Sequence, residues 1–214
     1  RACVGDSCVG YVTALSRRLD TFIRNQTVNH WERPKWDETF TLGEELACVV
    51  GLGTLGRGIA ERLDALGMRV TGVRRRPGEV PHVETVYGSG ALYQAISDAR
   101  FVILALPLTE ETAGLLDETA LDAMRSDAFV INVARGPVVD QTALVDAVES
   151  GAIAGAALDV FEDEPLPEGS PLWDLDRVIV TPHSAGLYQD YYVDVAEIVA
   201  ENVTFWFEPP MIHA

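Results

Sequence analysis

Three short segments of this chain carry residue types that can do acid–base chemistry beside a bound anion. Ile131-Asn132-Val133-Ala134-Arg135-Gly136-Pro137-Val138-Val139-Asp140 delivers an arginine at the end of an apolar run. Ala157-Leu158-Asp159-Val160-Phe161-Glu162-Asp163-Glu164-Pro165 delivers a cluster of carboxylates, and Thr181-Pro182-His183-Ser184-Ala185-Gly186 delivers a histidine. An arginine offers a permanently charged, bidentate fork for a carboxylate and can polarise a carbonyl beside it. An imidazole passes protons readily near neutral pH, and a carboxylate on its other nitrogen orients it and raises its proton affinity. That set suits a 2-oxo acid, because hydride arriving at C2 creates an alkoxide that needs a proton. Taken singly, the three are as readily a surface arginine, an acidic loop and a turn histidine. Spacing alone does not choose among Glu162, Asp163 and Glu164.

A second signal is Val49-Val50-Gly51-Leu52-Gly53-Thr54-Leu55-Gly56, a G-x-G-x-x-G run between an apolar strand and a helical pattern. In that setting Gly51 permits the tight turn and Gly53 lets the backbone approach a pyrophosphate. Gly56 allows close helix–sheet packing, and the helix N-terminus supplies N–H donors. An NAD site wants an acid about 20 residues further on, for the ribose 2′-OH. Here Arg74-Arg75-Arg76 begins 18 residues past Gly56 (74 − 56). Three guanidiniums there suit a 2′-phosphate, so NADP(H) is the expected cofactor, with NAD(H) the second choice. The bland alternative is a solvated basic turn.

These residues need elements to hold them. Apolar positions at helical spacing (Val4, Val9, Val12, Leu15, Leu19, Ile23) predict a helix over 3–24, followed by an irregular connector over 25–45 with Trp31 and Trp36 as anchors. From residue 46 the pattern alternates strand and helix: strands at 47–50, 69–73, 83–86, 101–105, 128–133, 154–160 and 178–180. Helices are expected to end near Gly67 and to cover about 91–99, 140–150 and 187–207, with short helical pieces over about 112–124. Continuous apolar strands alternating with helices predict an α/β fold: a doubly wound parallel sheet, a Rossmann-type dinucleotide-binding domain with flanking inter-domain helices. The expected division is 1–186, the nucleotide domain with its N-terminal helix and connector, and 187–214, a helix returning toward a substrate domain. The candidate residues then fall at the carboxyl ends of strands, the ligand side of such sheets.

Composition excludes some partners. The chain has 33 acids against 16 bases, a net charge of −17, and Lys35 is its single lysine. Such a surface repels nucleic acid and anionic membrane. The near-absence of lysine points to adaptation to high salt, a halophilic signature, over an ordinary acidic enzyme. Three cysteines (Cys3, Cys8, Cys48) have neither metal nor redox spacing, and Cys48 reads as core, so a reducing cytoplasm is expected and no metal. No run approaches the roughly 20 apolar residues of a membrane span. Arg1-Ala2-Cys3-Val4 is no secretory start and lacks an initiator Met; it opens mid-helix, so a preceding segment is expected. His30, His82 and His213 read as loop or tail residues.

Together the glycine motif, Leu106-Pro107-Leu108-Thr109-Glu110-Glu111-Thr112, Asn132–Asp140, Asp159–Pro165 and Thr181–Gly186 closely resemble the D-isomer-specific 2-hydroxyacid dehydrogenases, across nearly all of residues 46–190. The resemblance implies that Arg135 binds the 2-oxo acid substrate, His183 is the acid/base and Glu164 pairs with His183. It implies cofactor contacts at Thr54, Leu55, Leu106 with Pro107, Thr112, Val133, Ala134, Asp159 (on the nicotinamide carboxamide) and Gly186. It also implies a homodimer, with the first helix and connector as its surface. The sequence departs from the family where many members read V-A-E-H: here Val4-Gly5-Asp6-Ser7 lacks the histidine. Many members carry an acid where Arg74 stands, which favours NADP(H), and the stretch Phe207–Ala214 does not resemble the family's ending. Glyoxylate, hydroxypyruvate and longer 2-ketoacids are the candidate substrates. Three rivals are weighed. A formate dehydrogenase of the same superfamily is disfavoured by Glu at 164, where that type has Gln. A co-repressor-like regulator is disfavoured by the intact Arg135, Glu164 and His183. The third is a catalytically incomplete fragment.

Overall fold

The computed structural model describes residues 2–207. Its centre is one seven-stranded, all-parallel sheet: β1 (Leu46–Val50), β2 (Arg69–Val73), β3 (Thr85–Tyr87), β4 (Phe101–Leu104), β5 (Phe129–Asn132), β6 (Gly155–Leu158) and β7 (Val178–Val180). Their spatial order is β3-β2-β1-β4-β5-β6-β7. The central strands bury both faces, which is why they read as unbroken apolar runs. Alternate residues sort onto two cores. Cys48, Val50, Val102, Leu104, Val130, Ala156 and Leu158 face one side; Ala47, Val49, Phe101, Ile103, Phe129, Ile131 and Ala157 face the other.

Helices cover both cores. The first is capped by α4 (Leu92–Ile96), α5 (Glu118–Asp122) and α6 (Gln141–Glu149), which contribute Leu92, Ile96, Leu121 and Leu144. The second is capped by α1 (Ala2–Arg17) and α3 (Thr54–Ala65), through Val4, Cys8, Val12 and Leu15 of one and Ile59 and Leu63 of the other. Asp117 and Asp140 cap α5 and α6 by accepting from the N–H of Ala120 at 2.9 Å and of Ala143 at 3.0 Å. The chain ends its described part in α7 (Tyr191–Phe207). Among the described residues no helix is long and apolar enough to cross a membrane.

Several expectations need correction. The single helix over 3–24 is two, α1 and α2 (Leu19–Thr27), broken at Arg18 in the left-handed region at φ 57°. Arg177 Nη2 donates to the Leu15 carbonyl at 2.6 Å, satisfying a carbonyl that the end of α1 leaves open. Among the described residues Trp31 and Trp36 anchor nothing, being 91% and 97% exposed. Phe40 holds the connector instead, 6.1 Å from the Phe101 ring, 6.3 Å from that of Phe129 and under the Arg100 guanidinium at 4.0 Å. The strand expected at 83–86 sits later, at β3. The helix expected over 91–99 shrinks to a 3-10 turn and α4, whereas the short helical pieces expected over 112–124 include α5. The last helix begins at Tyr191 rather than 187. His213 and most of Phe207–Ala214 lie outside the described residues.

Candidate active site

Because all seven strands run the same way, the residues that follow them share one edge of the sheet. Gly51–Gly56 follows β1, Arg74–Arg76 follow β2, and Leu106 and Pro107 follow β4. Val133, Ala134 and Arg135 follow β5, Asp159 follows β6 and Thr181–Gly186 follows β7. The order reverses between β1 and β4, where an open α/β sheet leaves its crevice.

At that crevice the glycines are fixed by sterics. Gly51 has φ 101°, and a Cβ there would lie 2.5 Å from the Ala105 carbonyl oxygen. A Cβ on Gly56 would lie 1.8 Å from the Gly51 oxygen, so α3 can approach β1 only without one. Gly53 differs: a Cβ there would meet nothing within 4 Å, and the residue is the exposed N-cap of α3. The first amides of α3, at Thr54, Leu55 and Gly56, have no partner within the helix. Open space over a helix N-terminus fits a pyrophosphate.

Beside it, the Arg74 N–H donates to the Tyr87 carbonyl at 3.1 Å, fixing where the arginine run leaves β2. Arg75 and Arg76 are exposed, and among the described residues no carboxylate is within ion-pair range of any of the three guanidiniums. In a chain this acidic, three unpaired cations next to the glycine loop are a ready anion site. On the other flank, Thr112 folds its own loop, donating to the Pro107 carbonyl at 2.8 Å and accepting from the Thr109 N–H at 2.7 Å. Leu106 packs beside Gly51.

The remaining edge carries the titratable groups. Asn132, 1% exposed, accepts from the Ala134 N–H at 3.0 Å and donates to the Arg135 carbonyl at 3.1 Å. This bracket turns the chain so that Arg135 leaves the buried strand exposed. A Cβ on Gly136 would overlap the Phe161 carbonyl carbon at 1.8 Å, so glycine there lets the Arg135 turn lie against the segment bearing Glu164. Sequence reasoning singled out neither Asn132 nor Gly136; only their place beside Arg135 could have drawn attention to them.

His183 Nδ1 is 2.7 Å from Glu164 Oε2. Glu162 is engaged elsewhere, accepting from the Gln141 N–H at 3.1 Å, and Asp163 is exposed. Partial burial works against the Glu164 charge. Hydrogen bonds from the His183 ring and the Phe161 N–H, with the charges of His183 and Arg135, outweigh it and hold the carboxyl below the usual carboxylate range. His183 itself is held at φ 52°, a left-handed conformation uncommon outside glycine, with its N–H donating to the carbonyls of Asp159 and Thr181. Asp159 is 2% exposed and turned into this loop, accepting from the Thr181 hydroxyl at 2.7 Å and from the N–H groups of Ser184 and Ala185 at 2.9 Å. Three of its roughly four acceptor positions are thereby used.

Comparison with known proteins gives this geometry its setting. Residues 9–185 match the sequence profile of the D-isomer specific 2-hydroxyacid dehydrogenase, NAD binding domain. A glyoxylate reductase of Thermofilum pendens is 37% identical over 212 residues, which are 94% of this chain and 60% of that protein. The chain therefore spans about three-fifths of the length of such curated relatives. A crystal structure of a D-isomer specific 2-hydroxyacid dehydrogenase from Xanthobacter autotrophicus Py2, in complex with NADPH and MES, superposes with a TM-score of 0.85 at 38% identity. It covers 98% of this chain and 85% of the other. A probable 2-hydroxyacid dehydrogenase from Rhizobium etli, in complex with NADP, HEPES and tartaric acid, gives 0.85 at 28% identity, over 98% of this chain and 66% of that one. With the profile covering most of its length, this chain belongs to the NAD-binding domain family of the D-isomer-specific 2-hydroxyacid dehydrogenases.

Proposed function

We propose that the protein carrying this chain is an NADP(H)-preferring reductase of small 2-oxo acids, giving the D-2-hydroxy acid. NAD(H) is the weaker cofactor, and glyoxylate and hydroxypyruvate are the first substrates to try. The observation that carries this reading is the His183–Glu164 pair at 2.7 Å, on the same sheet edge as Arg135 and the glycine loop. The names of relatives support the substrate class: glyoxylate reductases and glyoxylate/hydroxypyruvate reductases.

In this reading the amides of Gly53, Thr54, Leu55 and Gly56 hold the pyrophosphate, and Arg74, Arg75 and Arg76 hold the ribose 2′-phosphate. Leu106, Pro107, Thr112, Val133, Ala134, Asp159 and Gly186 line the path between them and the reacting centre. Bound NADPH supplies the hydride that reduces C2. Arg135 binds the substrate carboxylate and draws electron density toward the carbonyl oxygen, opposing the repulsion of an acidic surface. His183, protonated, donates its Nε2 proton to the oxygen as charge builds there, and Glu164 stabilises the imidazolium through Nδ1. Residues 1–186 form the nucleotide unit, and 187–214 reach toward a substrate-binding part. The exposed Leu187, Tyr192, Ile198 and Val199 support that division, since they present apolar surface for another unit to cover. The test is a panel of 2-oxo acids with NADPH and NADH on the full-length protein and its His183→Ala variant. Turnover is expected with NADPH, falling about 10²–10⁴-fold in the variant. Undiminished turnover in His183→Ala removes His183 from the reaction.

A homodimer is part of the same proposal. Ile23, Val28, Trp31 and Trp36 are 62–97% exposed on one short stretch, surface that a second copy would cover. Light scattering should give twice the chain mass, and Trp31→Ser with Trp36→Ser should shift it toward monomer. A monomeric parent protein would remove the dimer.

A further inference from the structure

Three side chains spaced four residues apart on α1 reach the loop that carries His183. Cys3 Sγ donates to the Gly186 carbonyl at 3.4 Å, Ser7 Oγ donates to the Ala185 carbonyl at 3.3 Å, and the Tyr11 hydroxyl lies 2.7 Å from Thr181 Oγ1. Four-residue spacing stacks them on one helix face. The chemistry of the partners fixes the direction of the third contact. Thr181 has one hydroxyl proton and gives it to Asp159 Oδ1 at 2.7 Å, so Tyr11 is the donor to Thr181. Burial, reinforced by the Asp159 charge, pushes the Tyr11 hydroxyl up to about 12, and it keeps that proton across the physiological range.

The result is a directed chain, Tyr11 to Thr181 to Asp159, whose acceptor end also holds the N–H groups of Ser184 and Ala185. His183 lies inside this bracket, between Thr181 and Ser184, in a left-handed conformation that its own side chain does not favour. Val4, Cys8, Val12 and Leu15, together with the Tyr11 ring, bury the apolar stripe of α1, so that burial does not depend on the Tyr11 and Ser7 hydroxyls. Polar contacts beyond that stripe, all aimed at one loop, point to a task beyond packing.

We propose that Tyr11, with Ser7 and Cys3, is a positioning residue for His183: α1 clamps the Thr181–Gly186 loop from behind and sets the aim of the imidazole. The inference rests on the reading of His183 as the proton donor, and it extends the site to α1, away from the three segments that carry Arg135, Glu164 and His183.

Two measurements test it on the full-length protein. The first is kinetic, with Tyr11→Phe, Thr181→Val and Thr181→Ser. Tyr11→Phe and Thr181→Val should each lower kcat about tenfold, the scale of one net hydrogen bond, with KM for the 2-oxo acid changed less than about twofold. Thr181→Ser, which keeps the hydroxyl, should restore kcat, and the Tyr11→Phe/Thr181→Val pair should be less than additive. Native kcat in Tyr11→Phe, or Thr181→Ser as slow as Thr181→Val, overturns the clamp. The second measurement is amide hydrogen exchange at Ser184 and Ala185 without substrate, in Tyr11→Phe and in the milder Ser7→Ala. Exchange about tenfold faster in Tyr11→Phe at an unchanged melting temperature supports the clamp, and unchanged exchange overturns it. Because exchange involves no turnover, it judges the clamp even where His183→Ala shows the functional reading to be wrong.

Discussion

Glu164 holds His183 with one oxygen and the backbone with the other: Oε2 lies 2.7 Å from His183 Nδ1, while Oε1 accepts from the Phe161 N–H at 3.0 Å. The two bonds divide the carboxylate's work, since the anchored oxygen fixes the direction in which the other points. In Glu164→Gln the amide oxygen can keep the Phe161 bond, but the amide nitrogen then faces Nδ1 as a donor. That demands an unprotonated Nδ1, moves the ring proton to Nε2 and removes the charge that stabilises an imidazolium. Glu164→Gln should therefore lower kcat/KM for 2-oxo acid reduction about 10²-fold, with NADPH affinity retained. Steady-state kinetics together with a cofactor titration separates these outcomes, and native kcat/KM would show that Glu164 does not act on His183.

The same carboxyl gives a stability prediction. Its proton affinity is lower in the folded chain than in the unfolded one. The stabilisation is thus present above the usual carboxylate range and is lost as pH falls through it to the lower, folded value. The side chain is 36% exposed, so solvent screening keeps the effect small. Melting temperatures from pH 7 down to 3 should fall less steeply on the acid side for Glu164→Gln than for the parent. Parallel curves would mean that the pair contributes nothing to acid stability.

Arg74 stands at the position where an acid would accept the ribose 2′-OH of NAD. If Arg74 holds the 2′-phosphate as proposed, changing it to Asp replaces that donor with a group that repels the phosphate and accepts from the hydroxyl. A charged hydrogen bond contributes about 1.5–3 kcal/mol, so the ratio of kcat/KM for NADPH over NADH should drop at least about tenfold. Arg75 and Arg76, more exposed, should matter less singly. An unaltered ratio in Arg74→Asp would reduce the arginine run to solvated surface.

Gly53 and Gly56 make opposite predictions although they belong to one motif. Alanine at Gly56 would set its Cβ 1.8 Å from the Gly51 oxygen, a backbone atom that cannot yield cheaply. Gly56→Ala should destabilise by about 1–3 kcal/mol, as other overpacked sites do, and lower the melting temperature by several degrees. Alanine at Gly53 meets no atom within 4 Å and can adopt the extended conformation found there, φ −76° and ψ −157°. Its methyl would instead occupy the space in front of the α3 amides. Gly53→Ala should keep its melting temperature within a degree or two and weaken NADPH binding about tenfold or more, measured by fluorescence titration. Equal affinity in Gly53→Ala would move the pyrophosphate away from this turn.

What could be read in advance followed from local pattern. β1, β4 and β5 announce themselves as apolar runs because each is buried on both faces, and the glycine loop announces itself because its sterics are local. The misreadings share a cause in sequence distance. Arg177 meets the Leu15 carbonyl at the end of α1 across 162 residues, and Tyr11 meets Thr181 across 170. Nothing near Tyr11 marks it as more than another apolar position on a helical stripe. The carboxylates at 162, 163 and 164 are equivalent by spacing. The family resemblance points to Glu164, and the fold sets that residue against His183 while engaging Glu162 with Gln141. Aromatic residues misled for a related reason: Trp31 and Trp36 have the size of core anchors, yet the smaller Phe40 took that place between Phe101 and Phe129.

The charge of the whole chain bears on the conditions under which all of this should be measured. With 33 acids and 16 bases, one-to-one pairing of every base still leaves 17 carboxylates (33 − 16) without a cation. Added salt acts on this surface in two opposing ways. It weakens exposed ion pairs such as Arg62–Asp6, Arg69–Glu84 and Arg125–Asp127, each worth about 0–1 kcal/mol. It also screens repulsion among the surplus carboxylates, which spans the surface and is cut off as the Debye length shrinks to about 3 Å at 1 M. Because the surplus of 17 carboxylates outnumbers the exposed pairs, relief of repulsion should win. The melting temperature is expected to rise steadily from dilute buffer to molar KCl, and NADPH binding should survive there because the arginine run sits within this acidic field. A melting temperature that stays flat or falls between 0.1 and 2 M KCl would overturn the high-salt reading and leave an ordinary acidic member of the family.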